Sequence, residues 1–114
     1  VLKLLHAKTG AAIARHVYGV DDEVYQAILY HTTGRANMTL LEKILYLADY
    51  IEPSREFAND PDVVRLRETV YEDLDRGLLL GLTMTVTEME GMGNPVHHDT
   101  LDARNDLIEK GVTL

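Results

Sequence analysis

The chain has 114 residues, 46% of them hydrophobic, which suits one small domain with one core. Its formal net charge of −8 excludes the basic surface of a protein whose main partner is a nucleic acid polymer. No apolar run reaches the ~18–20 residues that span a bilayer, and no signal-peptide pattern is present, so we expect a cytoplasmic protein without membrane contact. Because cysteine is absent, any metal must use His, carboxylate or water ligands, which favours iron, manganese, magnesium or zinc.

Helical periodicity runs through almost the whole chain, and no segment shows the alternation of a β-strand. The first predicted helix extends from Leu5 to Tyr18, and Gly19 ends it. The second helix follows an acidic start, which the helix dipole favours. It carries a four-residue apolar face that closes with His31, and Gly34 breaks it. The sequence therefore predicts an all-α protein.

The third predicted helix begins with a capping box, in which Thr39 is the N-cap and Glu42 reaches back to it. It ends before Pro53, since the residue before a proline is biased away from helix. A long helix is then predicted from Asp62 to Met89, with a break near Gly77. After a loop that contains glycine and proline, Thr100 is expected to cap a last helix that extends to about Lys110.

Asp49 lies near the end of the third helix, in the otherwise apolar segment 44–51. Burial of its carboxylate would destabilise the fold by several kcal/mol or more, unless the group is paired, protonated or bound to a metal. If it is merely exposed at the helix C-terminus, it faces the end of the dipole that repels negative charge. Both arguments favour a functional role for Asp49.

His6 and His31 also lie at the ends of apolar faces. For either one alone, a core histidine bonded to a backbone carbonyl is the ordinary explanation. Together with Asp49, however, they occupy three successive helices that must pack together. Neutral imidazole is a common metal ligand, and imidazolium binds phosphate. We therefore predict that these three side chains converge on one catalytic site.

The segment from His31 to Arg35 offers several groups that bind phosphate oxygens. Thr32 and Thr33 carry hydroxyls, Gly34 exposes backbone N–H groups and Arg35 carries a guanidinium. The same residues would also suit a simple turn that ends a helix. Arg55, just past the third helix, is either a solvated surface arginine or a second phosphate clamp.

The loop before the last predicted helix contains two glycines and a proline and could wrap a ligand. Its candidate substrate-binding residues are Met92, Gly93, Asn94, Pro95, Val96 and His97. His97 and His98 look like a metal-binding pair, but adjacent residues usually point in different directions. We therefore do not expect a metal at this pair.

Two central segments, His31–Arg35 and Leu41–Pro53 with Arg55 after it, are similar to the YqeK family. The resemblance, which covers the whole chain, is shared by residues 5–7, 10–11 and 18–20 and by Thr100 with residues 103–105. It implies an HD-domain-like helical bundle, with residues 1–114 forming the C-terminal part of a single HD-type phosphohydrolase domain. YqeK members are described as symmetrical diadenosine tetraphosphate hydrolases that release two ADP.

The resemblance also implies roles for individual residues. Asp49 matches the family's distant metal-binding aspartate. His6 and His31 match two histidines that lie by the metal-bound phosphate and ligate a second ion where one is present. Thr32, Arg55 and the loop 92–97 match nucleotide-contacting positions. The implied cofactor is a divalent metal, iron first, and the implied partner is a nucleotide, either ADP or a dinucleoside polyphosphate. The oligomeric state is left open, a homodimer included.

One departure from the family leaves two functions in competition. The family's first metal-binding histidine and its His-Asp doublet are absent and should precede Val1, so we expect that residues are missing upstream. The first hypothesis is a metal-dependent phosphohydrolase in which Asp49 helps to bind the cation. The alternative is a nucleotide-binding or regulatory module without a complete metal centre. A purely structural helical domain would leave Asp49 and the turn after His31 unexplained.

Overall fold

The computed structural model describes residues 2–52 and 59–114, and within these ranges the chain is helical and has no β-strand. The all-α prediction is therefore confirmed. No helix in the described ranges is long and apolar enough to cross a membrane. The six helices are α1 (Leu2–Tyr18), α2 (Asp22–Leu29), α3 (Leu40–Ile51), α4 (Pro61–Glu72), α5 (Leu74–Gly91) and α6 (His98–Glu109).

Helix α5 is the centre of the fold and packs against α3, α4 and α6. Its residues 77–82 are all buried. They meet Leu47 of α3, Leu66 of α4 and Leu107 of α6 in one hydrophobic cluster. Because burial of one leucine side chain contributes about 1.5–3 kcal/mol, this cluster supplies most of the driving force that holds the four helices together.

Helix α1 packs on α2 through small residues. Ala7 and Ala11 are fully buried, and a Cβ added to Gly10 would lie 3.6 Å from Ile28 of α2. Three large apolar side chains of α1 point elsewhere: Ile13 is 49% exposed, and Leu5 and Val17 are more so. Small side chains thus bring the two backbones close, while α1 keeps a second, exposed apolar face.

The predicted long helix is broken at Asp73, and the prediction of a break near Gly77 is wrong. Asp73 has extended backbone (φ −156°, ψ 115°) and caps α4 at its end and α5 at its start. Its carboxylate accepts a hydrogen bond from the Arg76 backbone N–H. Gly77 lies inside α5, where a Cβ would come within 2.5 Å of the Val70 side chain. Gly77 therefore allows α4 and α5 to approach closely.

The predicted N-cap of α3 is confirmed, whereas that of α6 is wrong. Thr39 caps α3, and its hydroxyl accepts a hydrogen bond from the Glu42 N–H at 3.2 Å. Helix α6 is capped by His97, whose ring Nδ1 accepts a hydrogen bond from the Asp99 N–H at 3.0 Å. An unprotonated ring nitrogen can therefore replace the usual cap oxygen. Thr100 lies within the first turn of α6 and is buried.

Candidate functional site

The turn after α2 is tight and buried against the rest of the fold. Helix α2 ends at Leu29, and the Gly34 N–H donates to the Tyr30 carbonyl at 2.8 Å. Gly34 has φ +71°, a backbone conformation that residues with a side chain rarely adopt. A Cβ at this position would lie 3.3 Å from Ala103 and 3.4 Å from Leu82. The turn is therefore fixed against α5 and α6.

His31 is half-buried and has one of its ring nitrogens engaged. Its Nδ1 lies 2.5 Å from the Ile28 carbonyl oxygen. Because a carbonyl oxygen only accepts, Nδ1 carries the proton, and the neutral ring keeps its lone pair on Nε2. The carbonyl contact expected for an ordinary core histidine thus exists, but it leaves Nε2 of His31 for a metal or a phosphate.

Arg35 forms a bidentate ion pair with Glu42, which is 1% exposed. The Arg35 Nε lies 2.5 Å from Oε1, and its Nη2 lies 2.8 Å from Oε2. The Thr39 hydroxyl donates to the same carboxylate at 3.0 Å. The guanidinium also lies over the Tyr30 ring, 4.9 Å from its centroid. These contacts join the turn to the start of α3.

The titration behaviour of both partners follows from this pairing. The hydrogen bond to Glu42 raises the pKa of Arg35. Burial tends to raise the pKa of Glu42, but hydrogen bonds from Arg35 and Thr39 outweigh it and hold the pKa below its ordinary value. Both groups are therefore charged at neutral pH. Because two Arg35 donors are committed to Glu42, its contact with phosphate stays a prediction, and the structure supports a structural role.

The three small residues of the turn differ in the groups that they leave for a ligand. The buried Thr33 hydroxyl donates to the Gly34 carbonyl at 2.9 Å, and the Gly34 N–H is used by Tyr30. The Thr32 hydroxyl oxygen is shielded from solvent and has no hydrogen-bond partner among the described residues. Since a buried unpaired hydroxyl costs about 1–3 kcal/mol, Thr32 stands out as the polar group that a ligand could satisfy.

Helix α6 holds the turn at two points. The Thr100 hydroxyl donates to the Thr33 carbonyl at 2.8 Å, and Thr100 is only 3% exposed. Further along, the Asn37 N–H donates to Asp106 at 3.0 Å, and Lys110 binds both Asn37 and Asp106 at 2.9 Å. The Asn37 N–H and the Lys110 ammonium lower the pKa of Asp106. The structure thus brings α6 to the turn after α2.

Sequence reasoning missed both Thr100 and Glu42 as parts of this arrangement. Thr100 shares a helix face with Ala103 and Leu107, which are buried. A polar residue at a position that the spacing i, i+3, i+7 assigns to the core is the signal that could have identified it. The pairing of Arg35 with Glu42 carried no such signal, because it depends on how the intervening turn folds.

The loop 92–97 is largely exposed, with the Met92 side chain 65% exposed. Its contact with a nucleotide stays a prediction. The expectation that His97 and His98 point in different directions is wrong: their rings stack with centroids 4.5 Å apart. With Asp99 they place three ligand atoms within 4.8 Å of one another, close enough to hold a metal ion. However, the His97 Nδ1 already accepts the capping hydrogen bond, and a helix N-terminus opposes a cation.

His6 and Asp49 are both exposed in the described structure. Asp49 lies in the last turn of α3, whose Tyr46 and Leu47 face the core instead. The argument that burial makes the Asp49 carboxylate costly therefore does not apply here. Because α1 packs on α2 and α2 packs on α3, the order of the helices is consistent with a shared site. The convergence of His6, His31 and Asp49 stays a prediction, and Arg55 lies outside the described residues.

The donor types at these positions suit a divalent transition metal. One carboxylate and two imidazoles form the mixed oxygen and nitrogen set that iron, manganese and zinc accept. The Nε2 lone pair of His31, left by the bond from Nδ1 to Ile28, is the kind of donor that a metal needs. Asp49, His6 and His31 therefore fit such an ion chemically, as part of a larger ligand set.

Comparison with known proteins identifies the family of the chain. The HD domain model matches residues 2–54, which contain His6, His31 and Asp49. The chain is 46% identical, over 93% of its length, to the symmetrical bis(5'-nucleosyl)-tetraphosphatase of Halalkalibacterium halodurans, and 42% identical to that of Bacillus subtilis. The chain belongs to the HD-domain family. It spans about half of the curated relatives that it matches, 56% of each of these two.

The same family is seen in a solved structure. A crystal structure described as a predicted HD superfamily hydrolase involved in NAD metabolism, from Clostridium acetobutylicum, is 47% identical to this chain. It superimposes with a TM-score of 0.86 and covers 94% of this chain, while this chain covers 56% of it. The HD-like bundle is therefore confirmed. The group of His97, His98 and Asp99 lies outside the residues that match the HD model.

Proposed function

We propose that the full-length protein is a metal-dependent phosphohydrolase that cleaves symmetrical dinucleoside tetraphosphates, with diadenosine tetraphosphate giving two ADP. One observation carries this proposal: three relatives with this activity in their names are 38–46% identical over at least 90% of the chain. The reaction consumes one water, whose oxygen forms a bond to phosphorus as the central P–O bond breaks. Each product then keeps two phosphates.

Asp49 is the residue of this chain that we assign to the metal, and His6 and His31 would ligate a second ion where one is present. Iron is the ion that we expect, with manganese, magnesium or zinc as alternatives. When bound, such an ion polarises a phosphoryl oxygen and makes water more acidic. Asp49 lies in the last turn of α3, within residues 2–54 that match the HD domain, which supports the assignment.

Around that position, His6, His31 and Thr32 would bind the phosphate oxygens. Because Nδ1 of His31 is bonded to the Ile28 carbonyl, Nε2 is the ring nitrogen that would contact a phosphate oxygen. The Thr32 hydroxyl gains the partner that it lacks among the described residues. Arg55 would hold a more distant phosphate, and the loop 92–97 would contact a nucleoside.

The alternative function, a nucleotide-binding or regulatory module, retains the phosphate contacts without hydrolysis. A cytoplasmic location and a homodimer stay predictions under both functions.

An Asp49→Asn substitution in the full-length protein separates the two functions. The amide removes the charge at nearly constant volume, so we expect the fold to persist while metal content and ADP release fall by at least ~10–100-fold. The matched control is Asp62→Asn, which removes an exposed carboxylate from α4. Metal analysis and product chromatography measure both quantities. Unchanged metal content and turnover in Asp49→Asn would exclude the ligand role, and a wild-type protein that binds but does not cleave the nucleotide would favour the alternative.

A further inference from the structure

One peptide group in the turn after α2 is held from both of its sides. The Thr33 carbonyl and the Gly34 N–H belong to the same planar peptide unit. The carbonyl accepts a hydrogen bond from the Thr100 hydroxyl at 2.8 Å, and the N–H donates to the Tyr30 carbonyl at 2.8 Å. The orientation of this plane therefore depends on a side chain that lies 67 residues further along the chain.

We propose that Thr100 is a positioning residue, which orients His31 and Thr32 toward the substrate by fixing the Thr33–Gly34 peptide. The proposal rests on the function proposed above. Thr100 has no direct contact with substrate in this scheme. Its hydroxyl fixes the plane of the Thr33–Gly34 peptide. This plane sets the direction of the backbone before it, and hence where the side chains of His31 and Thr32 point.

The burial of this contact makes it effective. Thr100 is 3% exposed and Thr33 is 6% exposed, so water does not readily replace the hydroxyl if it is removed. A buried carbonyl without a donor is unfavourable, and the peptide gains by rotating toward another partner. Gly34 permits such a rotation, because glycine has few backbone restrictions. Loss of one hydroxyl is therefore expected to release the turn rather than leave it in place.

Thr100 also connects the two segments that were predicted to bind substrate. It lies three residues after His97, the last residue of the loop 92–97, and its hydroxyl reaches the turn that contains His31 and Thr32. A second contact from α6, between Asp106 and the Asn37 N–H, is exposed and lies beyond Arg35. The buried contact at Thr100 is thus the one nearer to the proposed phosphate ligands.

The test compares Thr100→Val, which keeps the shape but lacks the hydroxyl, with Thr100→Ser, which keeps the hydroxyl. The full-length protein is assayed on diadenosine tetraphosphate, well below its unfolding temperature. We expect kcat/KM of Thr100→Val to fall about tenfold, mainly through KM, because phosphate contacts act in both ground and transition states. Thr100→Ser should restore most of the loss. The control is Thr69→Val, since the Thr69 hydroxyl makes an equally short bond, 2.8 Å, that is exposed and lies within its own helix.

Amide hydrogen exchange gives a readout that does not depend on catalysis. In Thr100→Val the Gly34 amide should exchange about tenfold faster, while amides in the middle of α5 stay protected. Unchanged kinetics and unchanged exchange at Gly34, or a failure of serine to restore them, would overturn the positioning role. If Thr69→Val changes kcat/KM and Gly34 exchange as much as Thr100→Val does, the effect of Thr100→Val is only general destabilisation. If the wild-type protein does not hydrolyse the nucleotide, the proposed function fails, and exchange at Gly34 alone decides the role of Thr100.

Discussion

Helices α5 and α1 use their apolar residues in opposite ways. In α5 the large side chains are buried, and three other helices cover them. In α1 from Leu5 onward the buried residues are alanines, the large apolar side chains are exposed, and among the described helices α1 packs on α2 alone. The difference indicates that α5 supplies stability, whereas α1, which also carries His6, presents a surface.

The turn between α2 and α3 combines both kinds of region within five residues. Thr33 and Gly34 are buried against α5 and α6, and Arg35 is paired with Glu42. His31 and Thr32, directly before them, keep an Nε2 and a hydroxyl without a partner among the described residues. Residues fixed by packing thus hold adjacent residues that are suited to binding.

The largest expected effect is a stability difference between the two helices. Leu82 is fully buried in α5, so Leu82→Ala should lower the free energy of unfolding by about 2–5 kcal/mol. Ile13 is 49% exposed on α1, and Ile13→Ala should cost less than about 1 kcal/mol. Urea denaturation of the 114-residue chain measures both values. Equal losses would mean that α1 is packed as tightly as α5.

Two arginines should separate binding from stability. Lysine cannot reproduce the two parallel hydrogen bonds of arginine, so Arg55→Lys should lower kcat/KM for the nucleotide by roughly 10–100-fold with little change in stability or metal content. Arg35→Lys should instead lower stability by about 1–2 kcal/mol, because it disrupts the bidentate pair with Glu42, and leave KM nearly unchanged.

Steady-state kinetics on diadenosine tetraphosphate and on a simple aryl phosphate test the role of Arg55. A clamp for a distal phosphate predicts a smaller loss on the aryl phosphate. Equal losses of kcat/KM on both substrates would exclude that role for Arg55. A raised KM in Arg35→Lys would indicate that Arg35 binds phosphate.

The smallest expected effect concerns pH. The pKa of Glu42 is held below its ordinary value of 4.5, so the folded state favours the ionised carboxylate. Its contribution to stability is then complete above that ordinary value and disappears as the pH falls through the lowered pKa. Glu42→Gln should cost about 1–2 kcal/mol at pH 7 and progressively less below pH 4.5. Denaturation curves at pH 7 and pH 3.5 measure the difference, and a constant difference would contradict the ion pair.

The sequence predicts the helices well where local chemistry decides their ends. Thr39 caps α3 as expected, because a hydroxyl at an N-cap is a local signal. The break between α4 and α5 was misplaced at Gly77 because glycine has two uses: it can end a helix or allow another helix to approach. Only the packing against Val70 distinguishes the two uses.

The candidate site was less accessible to sequence reasoning. The role of His31 and Thr32 in a site stays a prediction from their place in the chain, and their hydrogen-bonding states could be learned only from the structure. The exposure of Asp49 could not be predicted from its apolar neighbours, because it depends on which side of α3 meets α5. The contact of Thr100 with Thr33 joins positions 67 residues apart, and no local pattern encodes such a distance.

The close approach of α4 and α5 at Gly77 has an evolutionary consequence. An added Cβ would meet the Val70 Cα at 2.8 Å as well as its side chain, so no rotamer change could relieve the collision. A mutation to any larger residue must separate the two helices next to their junction at Asp73, and a compensating change at position 70 cannot remove a backbone atom. We therefore expect homologues to keep glycine at position 77, whereas residues at exposed positions of α1 vary.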